Sequence, residues 1–257
     1  MPASAVLAEA QGVDGLADEL STRLLVTWRH PESRTYHVVG VLERSTDAYE
    51  FSYLSRARKV VGFRPFLGFS DLDRRYRSRH LFPIFGERLM SHARPDLHNW
   101  LDALALDDSA SELELLARSG GTRAGDAIEL VAQPDVLQNG DTASVFLVHG
   151  VRHQDGAGDR ISSLRTGERV LLVDDPSNPM NSRAVLVSAQ DQRRLGWVPE
   201  PLLEYVRHVR DSGSCTLRVV RANGPEVGPR LRLLVRLEGT LSSAYRPFTG
   251  PDWQTLA

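Results

Sequence analysis

Runs of β-branched and aromatic residues, separated by turn-forming residues, dominate the hydrophobic pattern at the start of the chain. Three such runs cover residues 24–28, 36–42 and 49–54. The breaks between them, at 30–34 and 43–48, contain Pro, Ser, Thr and Asp. Extended runs joined by short turns usually pair with their neighbours, so this pattern predicts an antiparallel meander.

Two helices and one further strand are predicted next. Apolar residues at helical spacing follow Pro95, a residue that suits the first turn of a helix. A second helix is predicted to begin at Ser109, because Ser109 and Glu112 have the spacing of a capping box, and to end at Gly120. Residues 127–131 then have the pattern of a strand that closes the sheet.

The pattern becomes almost entirely β beyond residue 134. Turn-forming residues are dense just after it, which predicts a linker at 135–144. One helix is predicted at about 201–210. Six strand-like runs are predicted at 145–149, 169–173, 184–188, 194–198, 215–220 and 230–237. Many short strands with a single helix are typical of a small, partly closed barrel.

These elements predict an α+β protein that is mainly β and has two domains. The chain of 257 residues is long enough for two compact units. The predicted parts are an N-terminal arm at 1–21, a first domain at 22–134, the linker at 135–144, a second domain at 145–238 and a C-terminal tail at 239–257.

The charges differ between the two halves. Up to residue 144 the chain has 16 basic and 21 acidic residues, and from 145 onward 15 basic and 12 acidic, so the net charges are −5 and +3. Neither half attracts polyanions in bulk, so nucleic-acid binding would need a local site. Lys59 is the single lysine among 31 basic residues, and this excess of arginine is usual in GC-rich bacterial sequences.

Several function classes are disfavoured by what the sequence lacks. No apolar run approaches the roughly 18 residues of a membrane-spanning helix, and no phosphate-binding loop precedes Lys59. Hydrolase, metalloprotease and dinucleotide motifs are absent. The only cysteine, Cys215, allows neither an internal disulfide nor a cysteine zinc cluster. We therefore expect a cytoplasmic protein that is not an enzyme and needs no cofactor or metal.

Four segments of the second half resemble the HIRAN domain. They are VHGVRH at 148–153, GERVLL at 167–172, DPSNPMNSRAV at 175–185 and LGWVP at 195–199. The resemblance covers about residues 145–211 and implies an OB-like β-barrel. In the helicase-like transcription factor of vertebrates, such a domain captures the 3′ end of single-stranded DNA, so the resemblance implies DNA as a partner.

The residues that hold the DNA end in that family are only partly kept here. Its arginine corresponds to Arg152, while its two tyrosines correspond to His153 and Met180 and its aspartate to Asn181. A thioether offers no flat ring to a base, so we expect weaker stacking. Because an uncharged amide both donates and accepts, discrimination between a 3′-hydroxyl and a 3′-phosphate should soften.

Four more residues are candidates for nucleic-acid binding. Arg183 adds a cation suited to a phosphate, and Trp197 is a stacking or packing residue. Asp175 and Asn178 belong to the same block, but Asp and Asn side chains commonly satisfy their own loop backbone. We therefore favour a turn-building role for these two.

The first half resembles a second family, the N-terminal subdomain of HipA toxins and the small subunit HipS. The segments that carry this resemblance are LVTW at 25–28, VGVL at 39–42, YEFSY at 49–53, LFPIFGER at 81–88 and LLARSGGTRAGDAI at 115–128. The kinase core that follows this unit in HipA is missing here. The resemblance therefore implies binding to a kinase partner rather than catalysis.

Together these observations predict a non-catalytic protein that recognises single-stranded or end-bearing DNA. The first domain would couple this recognition to a partner protein, as an antitoxin-like or stress-response component. The alternative is an interaction module that regulates a HipA-type serine/threonine kinase without binding DNA.

Overall fold

The computed structural model describes residues 23–123 and 125–257. The predicted N-terminal arm at 1–21 lies outside these described residues. Within them, antiparallel sheets with a few helices make up the fold, which confirms the mainly β prediction.

The first sheet contains five antiparallel strands in the order β4-β3-β2-β1-β5. Its strands are β1 (Arg23–Arg29), β2 (Tyr36–Arg44), β3 (Tyr49–Tyr53), β4 (Tyr76–Ser78) and β5 (Ile128–Ala132). The predicted meander of three strands is present as β1 to β3, and β5 pairs with β1 as the predicted closing strand. Strand β4 was not predicted.

Three short α-helices occur in the described part of the first half. They are α1 (Pro83–Gly86), α2 (Leu97–Ala103) and α3 (Glu112–Ser119). The capping box of α3 is formed by Ser111 and Glu114, two residues later than predicted. The hydroxyl of Ser109 donates instead to the Asp107 carboxylate at 2.5 Å, so it does not cap the helix.

The second sheet contains seven strands in the order β10-β9-β8-β11-β12-β7-β6. They are β6 (Asp135–Val136), β7 (Asp141–Leu147), β8 (Arg169–Asp174), β9 (Val185–Ser188), β10 (Arg194–Trp197), β11 (Cys215–Ala222) and β12 (Leu233–Thr240). Helices α4 (Ala157–Ser162) and α5 (Leu203–Asp211) complete this half. The segment expected to be a linker instead pairs β6 with β7 at the sheet edge.

Backbone contacts close most of this sheet into a barrel. His149, just after β7, and Trp197 of β10 donate their backbone N–H groups to each other's carbonyl oxygens, both at 2.8 Å. Gly196 makes this approach possible, because a Cβ atom there would lie 2.4 Å from the His149 carbonyl oxygen. Its φ of +148° also belongs to the region that favours glycine.

The first sheet is buried on both faces. Leu24 and Val26 pack with Phe85 and Leu116 of its own helices, whereas Leu25 belongs to the core of the barrel. Successive side chains of a strand point to opposite faces, so one face of β1 covers the helices and the other covers the barrel. The two halves therefore share a continuous core, although their division into separate domains stays a prediction.

The C-terminal residues return to the first sheet. Phe248 and Trp253 pack against the barrel core, and Thr255 pairs with Leu54. The backbone N–H of Leu256 donates to the Tyr53 carbonyl oxygen at 2.9 Å. This segment thus contacts both halves. In the described part of the chain, every helix is too short or too polar to cross a membrane.

Candidate nucleic-acid interface

The loop after β7 presents two of the predicted site residues. Gly150 has a φ of +69°, and a Cβ atom there would lie 2.6 Å from the Trp197 ring. The chain then forms a single 3₁₀ turn in which Val151 is buried while Arg152 and His153 are exposed. Arg152 Nε donates to His153 Nε2 at 3.0 Å. The turn therefore offers a cation and a flat ring side by side.

The loop between β8 and β9 presents the others. The Asn178 side-chain oxygen accepts hydrogen bonds from the backbone N–H groups of Met180 and Asn181, at 2.9 and 3.2 Å. This geometry supports the turn-building role of Asn178. Met180 projects outward with 56% of its surface exposed, and Arg183 is also exposed. The Asn181 side-chain oxygen accepts from the backbone N–H of Arg183 at 2.9 Å.

Asp175 is buried, and both oxygens of its carboxylate accept hydrogen bonds from the protein. Its carboxylate accepts from Ser177 Oγ at 2.9 Å, from Arg194 Nη2 at 2.6 Å and from Trp197 Nε1 at 2.9 Å. Burial disfavours the charged form, but hydrogen bonds from Trp197, Ser177 and Arg194 outweigh it and lower the pKa of Asp175. Asp175 thus holds the loop and Trp197 together rather than facing a ligand.

Trp197 connects the two loops. Its indole N–H binds Asp175 at the start of one loop, and its ring lies against Gly150 at the start of the other. The ring is half-buried. This position is compatible with a packing role and with an edge that a ligand can reach. The exposed residues that remain available to a ligand are Arg152, His153, Met180 and Arg183.

A cavity that was not predicted lies beside the Arg152 turn, between the two halves. It has a volume of about 250 Å³, and both halves line it. Its polar lining includes Arg29, Tyr36, Glu129, His149, Arg152 and Arg230. Arg29 and Tyr36 were missed because the resemblance that points to DNA covers only the second half. No group of three or more His, Cys, Asp or Glu side chains suited to a metal ion occurs among the described residues.

Comparison with known proteins identifies part of the second half. Residues 142–242 match the sequence model of the HIRAN domain. This match supports a HIRAN domain in the second half. The matched range begins within β7 and ends just after β12, so it extends beyond the four segments that carry the resemblance.

Two solved structures are similar to part of this chain. One is a protein from Lactobacillus plantarum, with 21% identity, a TM-score of 0.33 and coverage of 40% of this chain and 100% of that one. The other is the HIRAN domain of human HLTF, with 17% identity, a TM-score of 0.30 and coverage of 42% and 85%. No curated protein matches the chain. The resemblance of residues 22–134 to HipA has no counterpart in these matches and stays a prediction.

Proposed function

We propose that this protein is a non-catalytic DNA-binding protein that recognises single-stranded or end-bearing DNA through its HIRAN domain. The observation that carries the proposal is the exposed turn of Arg152 and His153 beside Trp197, within the segment that matches the HIRAN domain. Arginine binds a phosphate through its planar donor fork, and an imidazole ring can stack on a base.

The second loop adds weaker contacts in this proposal. Met180 gives an apolar, polarizable surface to a base, and Arg183 gives a second cation. The Asn181 amide is oriented by the backbone of Arg183 and lies 3.4 Å from the Glu200 carboxylate. With no carboxylate of its own at this position, the loop should bind a 3′-hydroxyl and a 3′-phosphate with similar affinity.

The test is fluorescence anisotropy with short single-stranded oligonucleotides at several salt concentrations. We expect Arg152→Gln to weaken binding roughly tenfold, because a charge-assisted phosphate contact is lost. Arg165→Gln is the matched control, since Arg165 is an exposed arginine of the same half outside both loops. We expect its affinity to equal that of the unaltered protein.

Oligonucleotides ending in a 3′-hydroxyl or a 3′-phosphate are compared in the same assay. Affinities within about twofold of each other would support the proposed loss of end discrimination. If the unaltered protein binds neither oligonucleotide at low salt, where phosphate contacts are strongest, the proposed function is wrong.

A further inference from the structure

The cavity between the two halves has an unusual electrostatic lining. Three arginines reach it, Arg29 from the end of β1, Arg152 from the turn after β7 and Arg230 from the segment before β12. None of the three forms an ion pair with a carboxylate among the residues that the structure describes. Arg152 and Arg230 are exposed and Arg29 is half-buried.

Among the described residues, Glu129 is the only carboxylate that lines the cavity, and it is already paired with His149. Glu129 Oε1 lies 2.7 Å from His149 Nε2, and the Glu129 side chain is only 8% exposed. Since this acid is paired within the protein, the three arginines leave an excess of positive charge in a partly enclosed space. A small anion would find several convergent donors there.

Tyr36 connects this cavity to the second loop. Its backbone N–H donates to Glu200 Oε2 at 2.9 Å, and Glu200 Oε1 is the atom that lies near the Asn181 amide. The Tyr36 ring has its centroid 6.3 Å from that of His149 and 5.9 Å from the guanidinium carbon of Arg29. Burial, followed by the charge of Glu129, raises the pKa of Tyr36, so its hydroxyl remains a neutral hydrogen-bond donor.

We propose that this cavity binds a phosphate group of the bound DNA strand and that Arg29, Tyr36 and Arg230 complete a composite site. The inference rests on the proposed function and assigns the first half a direct part in it. A strand held by the Arg152 and His153 turn would place one of its phosphates into the cavity. The first half would then bind DNA itself instead of only supporting the barrel.

The size of the cavity favours a phosphate group over a larger ligand. Pockets for drug-sized molecules commonly have volumes of about 300 to 1,000 Å³. A volume of about 250 Å³ lies below that range and suits a phosphate group with part of its sugar. Guanidinium groups match the geometry of phosphate oxygens, which explains why arginines rather than lysines suit this lining.

The experiment measures oligonucleotide affinity for Arg29→Gln and Arg230→Gln in the intact chain. We expect each variant to weaken binding roughly tenfold and to lower the salt dependence by about 0.7 in the slope of log K against log salt. Arg64→Gln is the matched control, because Arg64 is an exposed arginine of the first half that does not line the cavity.

A change in the DNA makes the test independent of protein folding. Each phosphodiester linkage near the end of the oligonucleotide is replaced in turn by a neutral methylphosphonate. At one position, the loss caused by Arg29→Gln should disappear, because the charge that Arg29 contacts is already absent.

Two results would overturn the inference while leaving the proposed function intact. One is an affinity of both variants equal to that of Arg64→Gln. The other is an identical loss for Arg29→Gln at every methylphosphonate position, which would indicate a long-range charge effect without a phosphate in the cavity. Failure of the unaltered protein to bind any oligonucleotide would overturn both.

Discussion

A single buried carboxylate fixes the geometry between the two loops of the interface. Asp175 joins Ser177 of its own turn to Arg194 and Trp197 of β10. The turn-building role of this residue was predictable, because Asp next to Pro and Asn is common in turns. Its partners on β10 were not, because they are 19 and 22 residues away and only the fold brings them close.

We predict that Asp175→Asn lowers the free energy of unfolding by about 2 to 3 kcal/mol at neutral pH, since charge-assisted hydrogen bonds are lost in a buried position. The folded protein lowers the pKa of Asp175. The stability that its carboxylate contributes is therefore present above the pKa of the unfolded state, and it is lost as the pH falls through the pKa of the folded state. Urea unfolding from neutral to acidic pH measures this, and a stability difference that stays constant down to about pH 2 would contradict it.

At the scale of elements, the sequence pattern locates strands better than helix starts. Residues 109–114 contain two overlapping Ser-x-x-Glu pairs, and the spacing cannot tell which one caps α3. The hydrogen bond of Ser109 to Asp107 decides between them. Strand β4 has only three residues, which is too short for a clear period-two pattern.

Closure of the barrel depends on Gly196, and we predict that Gly196→Ala is destabilising. The new methyl group would lie 2.4 Å from the His149 carbonyl oxygen and 2.7 Å from the Val148 side chain. The clash of this methyl group and the positive φ of residue 196 should together reduce the free energy of unfolding by about 2 to 3 kcal/mol. Thermal and urea unfolding measure the loss. Gly213→Ala is the comparison: this glycine also has a positive φ, of +82°, but no atom within 4 Å of a new Cβ, so we expect a smaller loss.

For the whole molecule, the main feature that was not predicted is the contact between the halves. The run Leu24-Leu25-Val26 is apolar without alternation, which is typical of a strand buried on both faces. It could have indicated that the first sheet is covered twice. It gave no sign of which residues meet across the contact, because Tyr36 and Glu200 are 164 positions apart.

The His149 and Glu129 pair predicts a pH dependence of this contact. Burial alone would lower the pKa of His149, but Glu129 and then Glu200 outweigh both burial and Arg230 and raise it. A raised pKa contributes stability that is complete below the ordinary value of 6.5 and is lost as the pH rises through the folded value. The Tyr36 ring also faces His149, with 6.3 Å between the two ring centroids.

We therefore expect the unaltered protein to lose stability, relative to His149→Gln, as the pH rises from below the ordinary histidine pKa of 6.5 into the alkaline range. The measurement is urea unfolding of both proteins across this range. Subtracting the free energy of unfolding of the variant from that of the unaltered protein at each pH removes the contribution of the other histidines. Parallel pH profiles for the two proteins would show that the pair makes no net contribution.

The return of the C-terminal segment to β3 adds a hydrogen-bonded connection between the two halves to the covalent one before β6. The chain passes from the first half to the barrel through β6 and comes back through the residues around Phe248 and Trp253. The two halves therefore cannot separate as two domains on a single linker would, unless the hydrogen bonds of the C-terminal segment to β3 break first.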